Sequence, residues 1–403
     1  MIILRNATII SGDGGAPAPG SVIMLNGGRI ESVGAEADGY SANGADIVID
    51  LKGRYVMPGF IDAHVHFGGA DCLDYPGIGD RLETYDFLRS RVEALRWGVT
   101  TVRSAGDFTP DIFDFRDSVD FGAQNSPRII AAGRMIQARG GHPIYTVFGS
   151  NEKIAAGATV IVDDATDLGF EVKRLADEGA DWIKAVISEV DKLDYPRPVP
   201  RLSNGQIRQV ADTAHKLGKP CMIHVDNVRH MREAAEAGAD SIEHILSVGA
   251  TETEIEDSLI ELLAEEQIYV VPTVFSIFAH ENPAGKRPLV YETLVRQVNK
   301  LIRAGVNIGV GSDSNIPFVS IGESLHEELA HLVKCGMTPV EAITAATSGN
   351  AKLLRKENEL GAIKKGFLAD LVVVDGDPTA DISRTKDIRL VMVNGRIVYS
   401  GAL

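Results

Sequence analysis

Pro220–Ile245 reads PCMIHVDNVRHMREAAEAGADSIEHI. Its first segment is apolar and carries His224 near its end. Val228–Ala237 then places apolar residues at helical spacing, and Gly238 supplies the turn that stops a helix. Ser241–Ile245 is again apolar and carries His244, twenty residues after His224. The stretch is one strand–helix–strand step, and each strand finishes in an imidazole.

Outward from this step the same texture repeats. Val56–Val65, Thr100–Ser104, Arg128–Ala132, Trp182–Ile187, Ile268–Thr273 and Val306–Gly311 are further apolar strand candidates. Helical patterns such as Gln206–Leu217 and Ile255–Glu266 lie between them, and Gly98, Gly179, Gly218 and Gly305 follow helix ends. Eight strands alternating with helices over roughly 290 residues suit an α/β fold, either a closed parallel (β/α)8 TIM barrel or an open doubly wound sheet. A barrel takes about 250 residues, so the 403-residue chain has material left over. That material is β-rich at both ends. Met1–Ile10, Ser21–Leu25, Arg29–Val33 and Asp46–Leu51 precede the first barrel strand, and Ala369–Val374, Ile388–Val393 and Arg396–Tyr399 follow the last helix. Neither end alone can bury a core, so the two are expected to meet in one discontinuous domain. The resulting division is 1–56, a catalytic 57–354, and 355–403.

Composition narrows the function. A formal net charge of −16 repels phosphates, so neither nucleic acid nor an anionic membrane surface is an expected partner. Three cysteines, Cys72, Cys221 and Cys335, without C-x-x-C spacing, argue against a disulfide framework or a thiolate metal site. The start of the chain lacks the pattern of a signal peptide, and no apolar run has the length of a membrane span. A cytoplasmic protein acting on a small molecule is the expectation. The residues leave homo-oligomerisation open.

The chemistry is expected where barrel strands end. His64 and His66 in Gly59-Phe60-Ile61-Asp62-Ala63-His64-Val65-His66 are two apart on a strand and share a face. Two such imidazoles form a pincer for zinc or a similar ion. His224 and His244 end two further strands. Asp313, in Gly311-Ser312-Asp313-Ser314, follows the last strand and reads as a metal ligand and proton shuttle. Lys184 interrupts the apolar strand Trp182–Ile187, where an uncompensated ammonium is costly. His215, His230, His280, His326 and His331 are expected to be structural or solvent-facing, with His280 in a long loop within reach of the mouth. Loops 136–165 and 188–203 are long enough to shape a pocket, and Arg197 and Arg201 in the second are candidates to grip a carboxylate.

These residues together resemble the amidohydrolase superfamily, in the branch of imidazolonepropionase-related enzymes and prolidase-like dipeptidases. Asn6-Ala7-Thr8-Ile9-Ile10, Val56-Met57-Pro58-Gly59-Phe60-Ile61-Asp62, Gly366-Phe367-Leu368-Ala369-Asp370-Leu371-Val372 and Leu390-Val391-Met392-Val393-Asn394-Gly395 carry the likeness over essentially the whole chain. The resemblance implies a (β/α)8 barrel with a small discontinuous β-sandwich domain built from both chain ends. It implies two divalent metals, zinc for preference: His64, His66 and Asp313 on one, His224 and His244 on the other. Lys184, carboxylated on its amine, would bridge them, and a bridging hydroxide would cleave an amide-type C–N bond. Asp313 would move the proton to the leaving nitrogen. His142, in Gly140-Gly141-His142-Pro143, resembles a family histidine that polarises the scissile carbonyl. His142, Tyr145 and Asp226 are the candidate substrate contacts.

The substrate-facing segments His224-Val225-Asp226-Asn227 and Ile187-Ser188-Glu189-Val190 differ from the family's dipeptidase pattern. A dipeptide, an N-acyl amino acid, a cyclic amide and a carbamate all remain open as substrates. Two other functions compete: a single-metal deaminase of imidazolonepropionase-like type, and a catalytically silent barrel acting as a binding protein.

Overall fold

Gly59 divides what the unbroken apolar run Val56–Val65 predicts as one strand. In the computed structural model, Tyr55–Pro58 and Phe60–Val65 are separate strands in different sheets. A Cβ at Gly59 would lie 2.1 Å from the Thr100 hydroxyl oxygen, so only glycine lets the chain pass between the sheets at this point. The structure describes residues 1–34, 43–68, 87–119, 124–143, 156–189, 198–247, 250–281, 288–316 and 318–401.

The first five strands are β1 (Ile2–Ile9), β2 (Ala18–Asn26), β3 (Arg29–Val33), β4 (Ile47–Asp50) and β5 (Tyr55–Pro58). Parallel strands follow, with helices after several of them: β6 (Phe60–Val65), β7 (Val99–Ser104), β8 (Arg128–Ala131), β9 (Met135–Ala138) and β10 (Thr159–Val162). The series continues with β11 (Ile183–Val186), β12 (Cys221–His224), β13 (Ser241–Glu243) and β14 (Tyr269–Val271). The chain closes on β15 (Leu371–Val374), β16 (Ile388–Val393) and β17 (Arg396–Ser400). β9 and β10 lie inside the segment expected to be a long loop.

Both chain ends share one eight-stranded sheet, ordered β17-β16-β15-β5-β1-β2-β3 with β4 also on β1. β5 is the junction, parallel to β1 through Thr8–Tyr55 and antiparallel to β15 through Leu371–Pro58. The β2–β3 hairpin reaches back to the segment that leads into β15, Ile30 N donating to Phe367 O at 2.9 Å and Ala369 N to Gly28 O at 2.9 Å. Leu371-Val372-Val373-Val374 is apolar at every position because both faces are covered. Leu371 and Val373 pack with Ile23, Val56 and Leu390, whereas Val372 and Val374 join the larger core beneath the helices. The hairpins turn at Gly27-Gly28 and Asn394-Gly395, each with two positive φ angles, as a two-residue turn between twisted strands requires.

The parallel strands form two arcs, β6-β7-β8 and β10-β9-β11-β12-β13-β14. Hydrogen bonds join the arcs at both ends. Asp181 N, just before β11, donates to Ala131 O of β8 at 2.8 Å. On the other side the 306–311 segment lies between β14 and β6, through Gly309 N to Val270 O at 2.9 Å and Ala63 N to Val310 O at 2.9 Å. This segment was expected as a full strand, but it makes only an isolated bridge, Val270–Ile308. Close packing of its backbone explains the glycines there: a Cβ at Gly311 would lie 2.6 Å from the His64 Cβ.

Candidate metal centre

His64 and His66 leave the end of β6 toward Asp313. The Nε2 atoms of both rings lie 3.4 Å from Asp313 Oδ1. One ligand atom from each of these residues falls within 4.8 Å of the others, a grouping able to hold a metal ion. The opposite ring nitrogens are tied down: His64 Nδ1 to Glu243 Oε2 at 2.6 Å, His66 Nδ1 to the Gly106 carbonyl at 2.8 Å. Such partners fix the tautomer and turn the Nε2 lone pairs to the centre. Asp313 is itself positioned by its amide, which donates to His64 O at 2.8 Å, and by Ser276 Oγ, which donates to Oδ2 at 3.0 Å.

The imidazoles form a line. Ring centroids are 5.7 Å apart from His66 to His64, 4.9 Å from His64 to His244, 4.6 Å from His244 to His224, and 4.9 Å from His224 to His142. His244 Nδ1 bonds Thr273 Oγ1 at 2.6 Å, and His224 Nε2 bonds Asp226 Oδ1 at 3.2 Å. Lys184 lies in β11, whose Val186 pairs with His224, so it shares that face one side-chain layer deeper. It is 2% exposed. Among the described residues its ammonium makes no hydrogen bond and joins no ion pair.

The electrostatics follow from burial and from these pairings. Burial pushes the Lys184 amine down to about 8, partly opposed by the charges of Glu243 and Asp313. Burial also takes the His64 ring down to about 4. For Asp313 burial acts upward, but the His66 hydrogen bond and the surrounding imidazoles hold the carboxyl well below the usual range. A carboxylate beside imidazole nitrogens is the donor set that a borderline divalent cation prefers. Residues of this chain therefore fit such an ion on chemistry alone, and a Lys184 ammonium with no hydrogen bond among the described residues strengthens the fit.

Three residues at the centre adopt left-handed backbone: His244 at φ 68°, Thr273 at 46° and Asp313 at 57°. For a β-branched residue such as Thr273 this is a strained conformation. At His244 it has a visible use. Regular alternation would send Glu243 and His244 to opposite faces, yet Glu243 reaches the His64 ring and the His244 ring lies tilted beside it. Glu328 supports the same region from helix Glu323–Lys334, its carboxyl accepting from Val274 N at 3.0 Å and Phe275 N at 2.7 Å.

The remaining expected residues divide. His142 sits at the end of the imidazole line. Asp226, expected to face substrate, is 2% exposed and accepts from Ser247 Oγ at 2.6 Å besides holding His224. Tyr145 and Arg197 lie outside the described residues. Arg201 is engaged with Glu233 at 2.7 Å. His280 belongs to helix Val274–Glu281 and not to a loop, its Nδ1 bonded to Ser276 O at 2.7 Å. His215, His230, His326 and His331 pair with residues away from the centre. Glu243, Arg103, Thr273 and Ser276 carried no functional expectation. Only the charges of Arg103 and Glu243 inside apolar strands offered a signal.

A parallel α/β framework thus brings a carboxylate and a row of imidazoles together near a buried lysine, and His64, His66 and Asp313 among them could hold a metal ion. Residues 55–398 match the model of the amidohydrolase family, and the chain belongs to that family. It is an enzyme, a metal-dependent hydrolase of amide-type C–N bonds. It is 25% identical to ochratoxinase of Aspergillus niger, covering 94% of this chain and 82% of that one. It is 26% identical to the 5-methylthioadenosine/S-adenosylhomocysteine deaminase of Thermococcus sibiricus, with coverages of 98% and 93%. Among solved structures, a Xaa-Pro dipeptidase with methionine bound in its active site superposes with a TM-score of 0.82 at 26% identity, over 99% of this chain and all of that one. No described helix is long and apolar enough to cross a membrane.

Proposed function

We propose that the chain is a two-metal amidohydrolase built as a closed (β/α)8 TIM barrel over 57–354, with 1–56 and 355–403 forming a β-sandwich beside it. The hydrogen bonds that join the two parallel arcs at both ends support closure. His64, His66 and Asp313 would hold one divalent ion, zinc for preference, and His224 and His244 the other, with Lys184 as an N6-carboxylated bridge. Ions held there supply Lewis acidity and make a water molecule nucleophilic near neutral pH.

The observation that carries this reading is the buried Lys184 amine, which has no hydrogen-bond partner among the described residues. Carboxylation needs the neutral amine, and burial favours that form. The neutral amine would add to carbon dioxide and release a proton, giving an anionic carbamate whose charge the two divalent ions would offset. Asp313 accepts the proton of the attacking water and returns it to the leaving nitrogen, held for that task by Ser276. His142 donates to the scissile carbonyl oxygen as it gains charge. The substrate is a small molecule with an amide-type bond: a dipeptide, an N-acyl amino acid, a cyclic amide or a carbamate. The dipeptidase and ochratoxinase likenesses support that class.

The deaminase relative supports a second reading, one metal with Lys184 unmodified. Metal analysis of the purified protein separates the two, with about two ions per chain expected and about one favouring the deaminase. Lys184→Ala should lose metal, and short-chain carboxylic acids should partly restore it by filling the bridge. A Lys184→Ala protein that keeps two ions would overturn the two-metal reading. A screen of dipeptides, N-acyl amino acids, lactams and carbamates then identifies the bond cleaved.

A further inference from the structure

We infer that the buried Arg103–Glu243 ion pair is a positioning device that fixes the ligand face of His64 and strengthens its hold on a metal ion. This rests on the reading of His64 as a metal ligand. Glu243 Oε2 meets His64 Nδ1 at 2.6 Å, while Oε1 accepts from Arg103 Nη2 at 2.8 Å and from Ser241 Oγ at 2.6 Å. Arg103 also donates through Nε to the Ala63 carbonyl at 2.6 Å and through Nη1 to Ser241 Oγ at 2.9 Å. Its guanidinium lies over the Trp182 ring, 4.4 Å from the centroid. The pair therefore grips the ring of His64 and the backbone just before it.

Stability does not account for this arrangement. Both side chains are 0% exposed, and a buried ion pair of this kind is often no more stable than apolar residues of the same volume. Nor is it needed merely to satisfy an N–H. His66 uses a carbonyl for that purpose and His244 a hydroxyl. Among these three imidazoles only His64 has an anion on the nitrogen turned away from the centre, and an anion there makes Nε2 a better donor than a neutral partner on the same ring would. Arg103 keeps that anion in place without taking up the oxygen that faces the ring.

The test compares the full chain with its Glu243→Gln variant by zinc competition against a chelator. The expected result is zinc affinity about tenfold to a hundredfold weaker, with the metal-free variant still folded by circular dichroism. A folded variant that holds zinc as tightly as the wild type overturns the inference and leaves the site reading standing. A wild type that takes up no divalent metal overturns both. If Glu243→Gln does not fold, the double variant Arg103→Gln/Glu243→Gln removes both charges together and must show the same loss. Nitrogen NMR of the metal-free wild type gives an independent reading. His64 protonated on Nδ1 is expected, and His64 protonated on Nε2 would contradict the assigned role.

Discussion

Ser276 donates its hydroxyl hydrogen to Asp313 Oδ2 at 3.0 Å, leaving Oδ1 to face the two imidazoles of β6. A hydrogen bond to a charged group is worth about 1.5–3 kcal/mol, and here it also aims the carboxylate. Ser276→Ala should lower kcat by about tenfold while the metal content stays normal. A variant that loses metal instead would make Ser276 a support of the ion and not of proton transfer.

Removing a ligand should act differently. His66→Ala takes away a donor that contributes little to packing, being the more exposed of the pair at 21% against 1% for His64. Metal content and turnover should fall together, with the unfolding midpoint of the metal-free protein nearly unchanged. Full activity in a metal-depleted His66→Ala protein would remove the ion from the reaction.

His142 stands next to His224 at the end of the imidazole line. If it donates to the developing oxyanion, His142→Ala should lower kcat by roughly 10²-fold. Metal analysis should show no change, and an unchanged rate would leave His142 with no part in the reaction.

Gly311 tests the packing behind the site. Any larger residue would press on the His64 Cβ from 2.6 Å and on Val271 Cγ1 from 2.7 Å. Overpacking of this kind costs about 1–3 kcal/mol. Gly311→Ala should lower stability by that amount and weaken metal binding as well, because β6 must shift. Denaturant unfolding and metal analysis of the same sample decide whether the two effects travel together.

Acid sensitivity has a separate source in His326. Burial lowers its ring from the ordinary 6.5 to about 4, and it bridges Thr385 Oγ1 at 2.9 Å and the Trp97 carbonyl at 2.8 Å. The folded state thus binds fewer protons than the unfolded one between these values. Stability is fully present above pH 6.5 and is lost as pH falls toward 4, by about 3 kcal/mol at roughly 1.4 kcal/mol per unit. His326→Gln should be less stable at pH 7 but flatter over this window in metal-free protein. An equal slope in both proteins would move the acid sensitivity to other groups.

Much of the site was legible because it obeys strand alternation. His64 and His66 are two apart, and His224 and His244 lie at or just past the ends of their strands, so period and position place them at the same end of the parallel strands. Glu243 was hidden by the same rule, which assigns it to the face opposite His244. The left-handed φ at His244 that brings both inward leaves no mark in the sequence. Asp226 reads as a substrate contact from its place beside a ligand, while its bonds to His224 and Ser247 appear only in the structure. The fold showed a comparable limit at Val56–Val65. A continuous apolar run looks the same whether it crosses one sheet or passes between two, and the contact with Thr100 that demands Gly59 is distant in sequence.

Tyr55–Pro58 finds one neighbour early, at Thr8–Ile9, and the other at Leu371–Val374. During synthesis the second partner emerges roughly 300 residues later, on the order of 15–60 s at about 5–20 residues per second. Throughout that interval one flank of the strand presents unpaired amides and carbonyls, a natural template for a strand of another chain. The birth order of this polypeptide therefore sets its most exposed moment. The ribosome must finish the catalytic segment before the terminal sheet can be sealed.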